Sequence, residues 1–242
     1  MIRVEDWLSA DNPDVFLNAL RLEHQRARET AATVRRTRLF CCACARSVWD
    51  LLPSDARSAV VVREKFADGR ATEADVRAAG VRIEPNPITA AAMAQIAIND
   101  DPFISARWAA KARASRTAGH SPDFGSARLP NWHAKWTAAF VAERAKQAEF
   151  VRDIFPPPGY AVALRPEWRT DTVIAIAQQM DETGDFGAVP ILADALQDAG
   201  CDDEVALARC RAASGVHCRG NWVVDSVLGR NLAETPPTSA LR

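Results

Sequence analysis

Six cysteines and four histidines are the side chains of this 242-residue chain best suited to metal ligation or nucleophilic chemistry. Three cysteines crowd into Cys41-Cys42-Ala43-Cys44, which contains a CxxC spacing, and a second group follows far downstream at Cys201, Cys210, His217 and Cys218. Thiols at CxxC spacing serve two chemistries, dithiol redox exchange and tetrahedral zinc binding. The redox version needs a thiolate stabilised at a helix N-terminus, whereas residues 41–44 fall in the middle of a helix predicted over 29–52. Zinc would require Cys42 and Cys44 to meet Cys201, Cys210 and His217 across the fold. The gaps of eight, six and zero residues in the second group do not match the paired short spacings of zinc ribbons or fingers. The preferred expectation is small thiols packed between helices with no cofactor, zinc being the alternative. His217 and Cys218 are sequence neighbours whose side chains diverge, which argues against a cysteine–histidine nucleophile. Walker, GxGxxG, HExxH and GxSxG patterns are all missing, so no catalytic residue is assigned.

Charge supplies the second set of candidates. The chain balances 30 Lys and Arg against 31 Asp and Glu, a formal charge of -1 that offers no global field for nucleic acid or anionic lipid. Locally the balance breaks. Between Arg21 and Arg46 there are seven arginines against two glutamates, and between Asp171 and Asp225 ten acids against three arginines. Nucleic-acid binding through the Arg-rich helix is the third-ranked reading; docking of the acidic segment on the basic one is another. Arg35, Arg36, Arg38 and Arg219 are the candidate interaction residues. A helical wheel places Val34, Cys41, Ala45, Val48, Leu51 and Leu52 on one face, with Arg35, Arg36, Arg46 and Ser47 opposite. Arg38 falls on the apolar side, and a buried guanidinium there needs a carboxylate from the C-terminal half. Charge reversal at Arg38 is therefore expected to cost more stability than reversal at Arg35 or Arg36.

The elements that must position these groups are helices. Alanine accounts for 46 residues and tyrosine for one, a composition that favours helix over strand. Pro and Gly punctuation, caps and periodicity predict helices near 4–8, 13–21, 29–52, 55–67, 72–79, 88–98, 102–118, 132–155, 171–182, 189–199, 202–212 and 222–228. Asn12, Ser54, Thr72, Asn131, Thr170 and Asn221 stand as N-caps. Residues 81–87 read as a connection, and 119–130 as a loop and the best candidate for disorder. Trp132, Trp136, Phe140, Phe150 and Ile154 form one stripe expected to face a core. Pro156-Pro157-Pro158-Gly159 breaks the chain; with Tyr160 it matches a PPxY ligand pattern and is read as a hinge. The fold expected is an all-α multi-helix bundle over 1–158 with a smaller C-terminal helical unit, 159–231, packed on it and a flexible tail at 232–242. No apolar run is long enough for a bilayer and no leader pattern is present, so a cytoplasmic protein without membrane contact is expected.

Several pieces resemble an uncharacterised group of bacterial hypothetical proteins frequent in planctomycetes. They are Leu39-Phe40-Cys41-Cys42-Ala43-Cys44 with Arg46 and Trp49, Ala67-Asp68-Gly69, the 190–196 segment PILADAL with Gly200-Cys201-Asp202-Asp203, and the 217–225 segment HCRGNWVVD. Asn221 and Ala45 stand where the group's pattern has cysteines, which weakens the zinc alternative. The resemblance implies shared architecture and no particular chemistry. The functional expectation is a non-enzymatic interaction or regulatory module with an unidentified protein partner.

Overall fold

A computed structural model describes residues 3–26, 30–80, 100–119, 131–160 and 164–230. The predicted connection at 81–87, the helix at 88–98, most of the 119–130 loop and the 232–242 tail lie outside the described residues.

Among the described residues the protein is all-α, with eleven α-helices and no strand. They are α1 (Val4–Ser9), α2 (Pro13–Arg26), α3 (Ala31–Ser47), α4 (Ser54–Ala67), α5 (Glu73–Ala78), α6 (Pro102–Thr117), α7 (Trp132–Ile154), α8 (Asp171–Thr183), α9 (Val189–Asp198), α10 (Glu204–Cys210) and α11 (Trp222–Val227). Short 3₁₀ turns, Trp49–Leu51 and Pro166–Trp168, follow α3 and precede α8.

Local chemistry accounts for most boundaries. Thr30, Thr72, Asp101, Thr170, Asp203 and Asn221 each accept a hydrogen bond from a backbone N–H of the helix that follows. Thr72 and Asp75 complete a reciprocal capping box. Two expected caps do not act as such. Ser54 is already helical after Pro53, and Asn131 is left-handed at φ 65° with no side-chain cap bond. α3 starts at Ala31 and ends at Ser47, shorter at both ends than predicted, because Thr30 caps it and a 3₁₀ turn takes over before Pro53.

Buried side chains gather in two clusters. The first holds Trp7, Phe16, Phe40, Val48, Val60, Ala106, Phe150 and Ile154 among others, from α1 to α4, α6 and α7. The second runs from Trp168 to Val227 and draws on α8 to α11. The proline-rich break at 156–159 falls between them. Alanine explains the close approach of α6 to its neighbours: Ala106, Ala109, Ala110 and Ala114 are fully buried.

Two expectations about faces need correction. α3 is not amphipathic near its middle, because every residue from Leu39 to Ala45 is buried. The aromatic stripe of α7 also divides. Phe150 and Ile154 enter the first core, while Trp132, Trp136 and Phe140 are only half-buried and stack along the surface beside α6. α7 outruns the core that its C-terminal half helps to build.

Candidate functional site

The thiols come first, since the sequence singled them out. Cys42 and Cys44 lie in the first core cluster, Cys201 and Cys210 in the second. Cys218 packs against the first. The set Cys42, Cys44, Cys201, Cys210 and His217 is therefore divided, and among the described residues no group of three or more His, Cys, Asp or Glu side chains is arranged to hold a metal ion. All six cysteines are free thiols. Burial pushes the Cys41 thiol up to about 12, and it raises Cys42, Cys44 and Cys218 well above the ordinary thiol value. These groups are held in the protonated, unreactive form.

The arginines build something more elaborate. Arg35 of α3 donates from Nε and Nη2 to Asp68 Oδ1 at 3.0 and 2.8 Å, and it also grips both carboxylate oxygens of Asp225 in α11. Arg219 donates from Nη1 to Asp68 Oδ2 at 3.2 Å and to Asp181 Oδ1 at 2.6 Å. Arg230 holds Asp181 bidentately at 2.9 and 2.7 Å and reaches Asp225 Oδ1 at 3.4 Å; Arg70 donates to Asp68 Oδ2 at 2.6 Å. Four guanidinium groups thus alternate with three carboxylates across the junction of the two cores. Burial works against the Asp68 carboxylate, but the charge of Arg35 and the bonds from Arg70 and Arg35 outweigh it and hold it below the usual carboxylate range. Asp181 is held low in the same way, burial being outweighed by the bond from Arg230 and the charges of Arg230, Arg219 and Arg70.

The candidate interaction residues therefore separate. Arg35 and Arg219 are bound within the fold, and Arg36 is buried in it. Among the described residues Arg38 has no ion pair with a C-terminal carboxylate. It is half-buried, with its guanidinium 4.4 Å from the centre of the Phe66 ring. Arg35 takes the predicted role instead, pairing with Asp225 as well as Asp68. Asp68, Asp181, Asp225 and Arg230 were not assigned to a site from sequence. Asp68 and Asp225 lie inside motifs already noticed, and the acidic excess of 171–225 was their signal.

A second polar centre lies nearby on the loop between α10 and α11. Asp153, fully buried, accepts from the backbone N–H of Cys218 at 2.8 Å and from Asn221 Nδ2 at 2.6 Å, with Arg209 Nε 3.3 Å away. His217 Nδ1 lies 2.8 Å from the same carboxylate, which can only accept, so Nδ1 is the donor. Nε2 is closed off from solvent and has no hydrogen-bond partner among the described residues. The arrangement holds the imidazole firmly yet presents no base to a substrate.

Three clefts indent the surface. One of about 350 Å³ is lined by Leu39, Arg46, Glu64, Phe186, His217 and Arg219, and another of about 420 Å³ by Leu17, Phe40, Asp101 and Phe103 among others. The largest, about 790 Å³, opens between α1, the 157–160 turn and α10. Val4, Leu8, Pro157, Pro158 and Val205 form its walls, with Trp7, Tyr160 and Trp222 alongside. Apart from the exposed Glu204, its main polar groups are already engaged. Arg152 donates to Trp7 O at 2.9 Å, Arg209 to Val216 O at 3.1 Å and Ser214 to Glu149 at 3.0 Å, while the Tyr160 hydroxyl bonds Asp203. No helix among the described residues is long and apolar enough to cross a membrane. No family model, curated protein or solved structure matches the chain.

Proposed function

We propose that the protein is a non-enzymatic, cytoplasmic binding module that receives an apolar segment of a protein partner in the 790 Å³ cleft. One observation carries the reading: of the seven large hydrophobic residues exposed among those described, Val4, Leu8 and Val205 converge on this cleft. Exposed apolar side chains scattered singly are ordinary, whereas a cluster set around a groove marks a recognition surface. Because Arg152, Arg209, Ser214 and Tyr160 are already bonded to Glu149, Asp203 or backbone carbonyls, the occupant is recognised mainly by apolar contact. Each aliphatic side chain buried there contributes roughly 1.5–3 kcal/mol. The unreactive thiols and the closed His217 support a binding role. The motif residues Asp68, Arg219 and Asp225 all belong to the ion network, which fits the architectural kinship with the planctomycete group.

The test is site-specific photo-crosslinking in the native host. A benzophenone amino acid at Leu8 should capture one discrete protein, and the same group at Ile191, exposed but outside the cleft, should not. Val205→Glu should abolish the Leu8 adduct while leaving the melting temperature unchanged. Equal labelling from both positions, or none, would refute the proposal.

A further inference from the structure

α6 and α7 form an antiparallel hairpin whose register is fixed by three contacts. Trp132 Nε1 donates to Gly119 O at 3.2 Å, Trp136 Nε1 to Ser115 Oγ at 3.3 Å and Gln147 Nε2 to Ala106 O at 2.9 Å. All of α6 and the first half of α7 carry an unusual charge. Over 102–117 and 132–142 there are five Lys and Arg residues, Arg107, Lys111, Arg113, Arg116 and Lys135, and no Asp or Glu, in a chain whose formal charge is -1. Among the described residues only Arg113 is ion-paired, bidentate on Asp50. Arg107, Arg116 and Lys135 are exposed and have no ion-pair partner among the described residues, and Lys111 sits 4.8 Å over the Trp108 ring.

Aromatic rings line the same two helices. Trp132, Trp136 and Phe140 recur every fourth residue of α7, so they rise along one side of the helix. Their ring centres are 6.2 and 5.0 Å apart and their planes nearly parallel. All three remain half-exposed, as does Trp108 across the hairpin. The indole N–H bonds to α6 and to its C-terminal end hold the ladder in place, so little ordering entropy remains to be lost on binding.

We infer that this hairpin binds single-stranded nucleic acid. Phosphodiesters answer the unpaired cations, and base faces and edges answer the exposed rings. An acidic protein surface, including that of a second copy of this chain, answers the cations alone and leaves the aromatic ladder unexplained. The site is separate from the Arg-rich helix that the sequence pointed to, whose Arg35 and Arg46 are bound to Asp68, Asp225 and Glu64.

The experiment is fluorescence anisotropy of the full chain with labelled oligo-dT and oligo-U over a salt series. Binding to both should weaken as salt rises. The variant Arg107→Glu/Arg116→Glu/Lys135→Glu should lower affinity at least tenfold, and conservative neutralisation of the same three should reduce the logarithmic salt slope by about two, at roughly 0.7 per phosphate. A control of equal net charge, Arg3→Glu/Arg77→Glu/Arg165→Glu, should bind as the native chain does. Trp132→Leu should weaken binding without changing the slope. Failure of the native protein to bind either oligomer at low salt would overturn the inference whatever the variants do. So would equal affinity of the two triple variants, tighter binding to duplex with no effect of Trp132→Leu, or salt-sensitive self-association abolished by the hairpin reversal with no oligomer bound.

Discussion

Arginine does opposite work at the two ends of this molecule. At the junction of the cores, Arg35, Arg70, Arg219 and Arg230 are interleaved with Asp68, Asp181 and Asp225, and each charge meets an opposite one within hydrogen-bonding distance. Along the α6–α7 hairpin, Arg107, Arg116 and Lys135 are exposed and form no ion pair among the described residues. The first arrangement fixes how elements far apart in sequence sit together; the second leaves charge available to something outside. Local density of arginine does not distinguish the two cases. What distinguishes them is whether the fold delivers acids to the same place, which is a tertiary property.

Breaking the network should have the largest effect. Asp225→Ala leaves Arg35 and Arg230 short of a partner in a part-buried site, with an expected loss of about 3–5 kcal/mol in urea unfolding. Arg35→Ala should follow the same direction, whereas Lys135→Ala should stay within roughly 0.5 kcal/mol. If Asp225→Ala and Lys135→Ala shift the midpoint equally, the contrast between the two ends is lost. Next in size is Gly220→Ala. This glycine has φ 92°, and an added Cβ would lie 2.8 Å from Leu39 Cδ1, so the change should cost roughly 1–3 kcal/mol by thermal melting. Asn221→Ala removes both the cap of α11 and a donor to Asp153, with an expected cost of about 1–2 kcal/mol.

Acid sharpens the comparison further. Asp68 and Asp181 have folded-state pKa values below their unfolded values, so the unfolded chain takes up protons first as pH falls. Their contribution to stability is fully present above the ordinary carboxylate range near 4 and is lost as pH drops through the lowered values. Asp181→Asn should flatten the pH dependence of the unfolding midpoint in that window, and an unchanged slope would contradict the network. The smallest expected effect is chemical. With Cys41 pushed up to about 12, a thiol-alkylating reagent at neutral pH should leave the native protein's Cys41, Cys42 and Cys44 unmodified and label them only after unfolding.

Much of the architecture was legible because it is local. Thr72, Thr170 and Asn221 announce their helices through side-chain bonds spanning two or three residues, and the prolines at 156–158 stop α7 where the chain passes between cores. Arg38 and Arg35 show where that reading ends. A wheel assumes one wet face and one dry face, but Arg35 and Arg38 are both half-buried, and the acids delivered by the fold, Asp68 and Asp225, lie on the side of Arg35. Trp132 and Trp136 fail for the reverse reason: their periodicity is right, but the core does not extend along α7 to meet them. Asp153 left no sequence signal, since its four neighbours, Arg209, His217, Cys218 and Asn221, arrive from another part of the chain.

The separation of Arg35 from Asp225, 190 positions along the chain, has a temporal consequence. At about 5–20 residues per second of translation, α3 leaves the ribosome on the order of 10–40 seconds before its partner carboxylate is made. For most of that interval Arg35 has Asp68 as its only carboxylate of the pair, and the surface where α11 will seat stays uncovered. Synthesis of α11 locks the bundle, and a chain halted before Asp225 would expose that surface to chaperones and proteases.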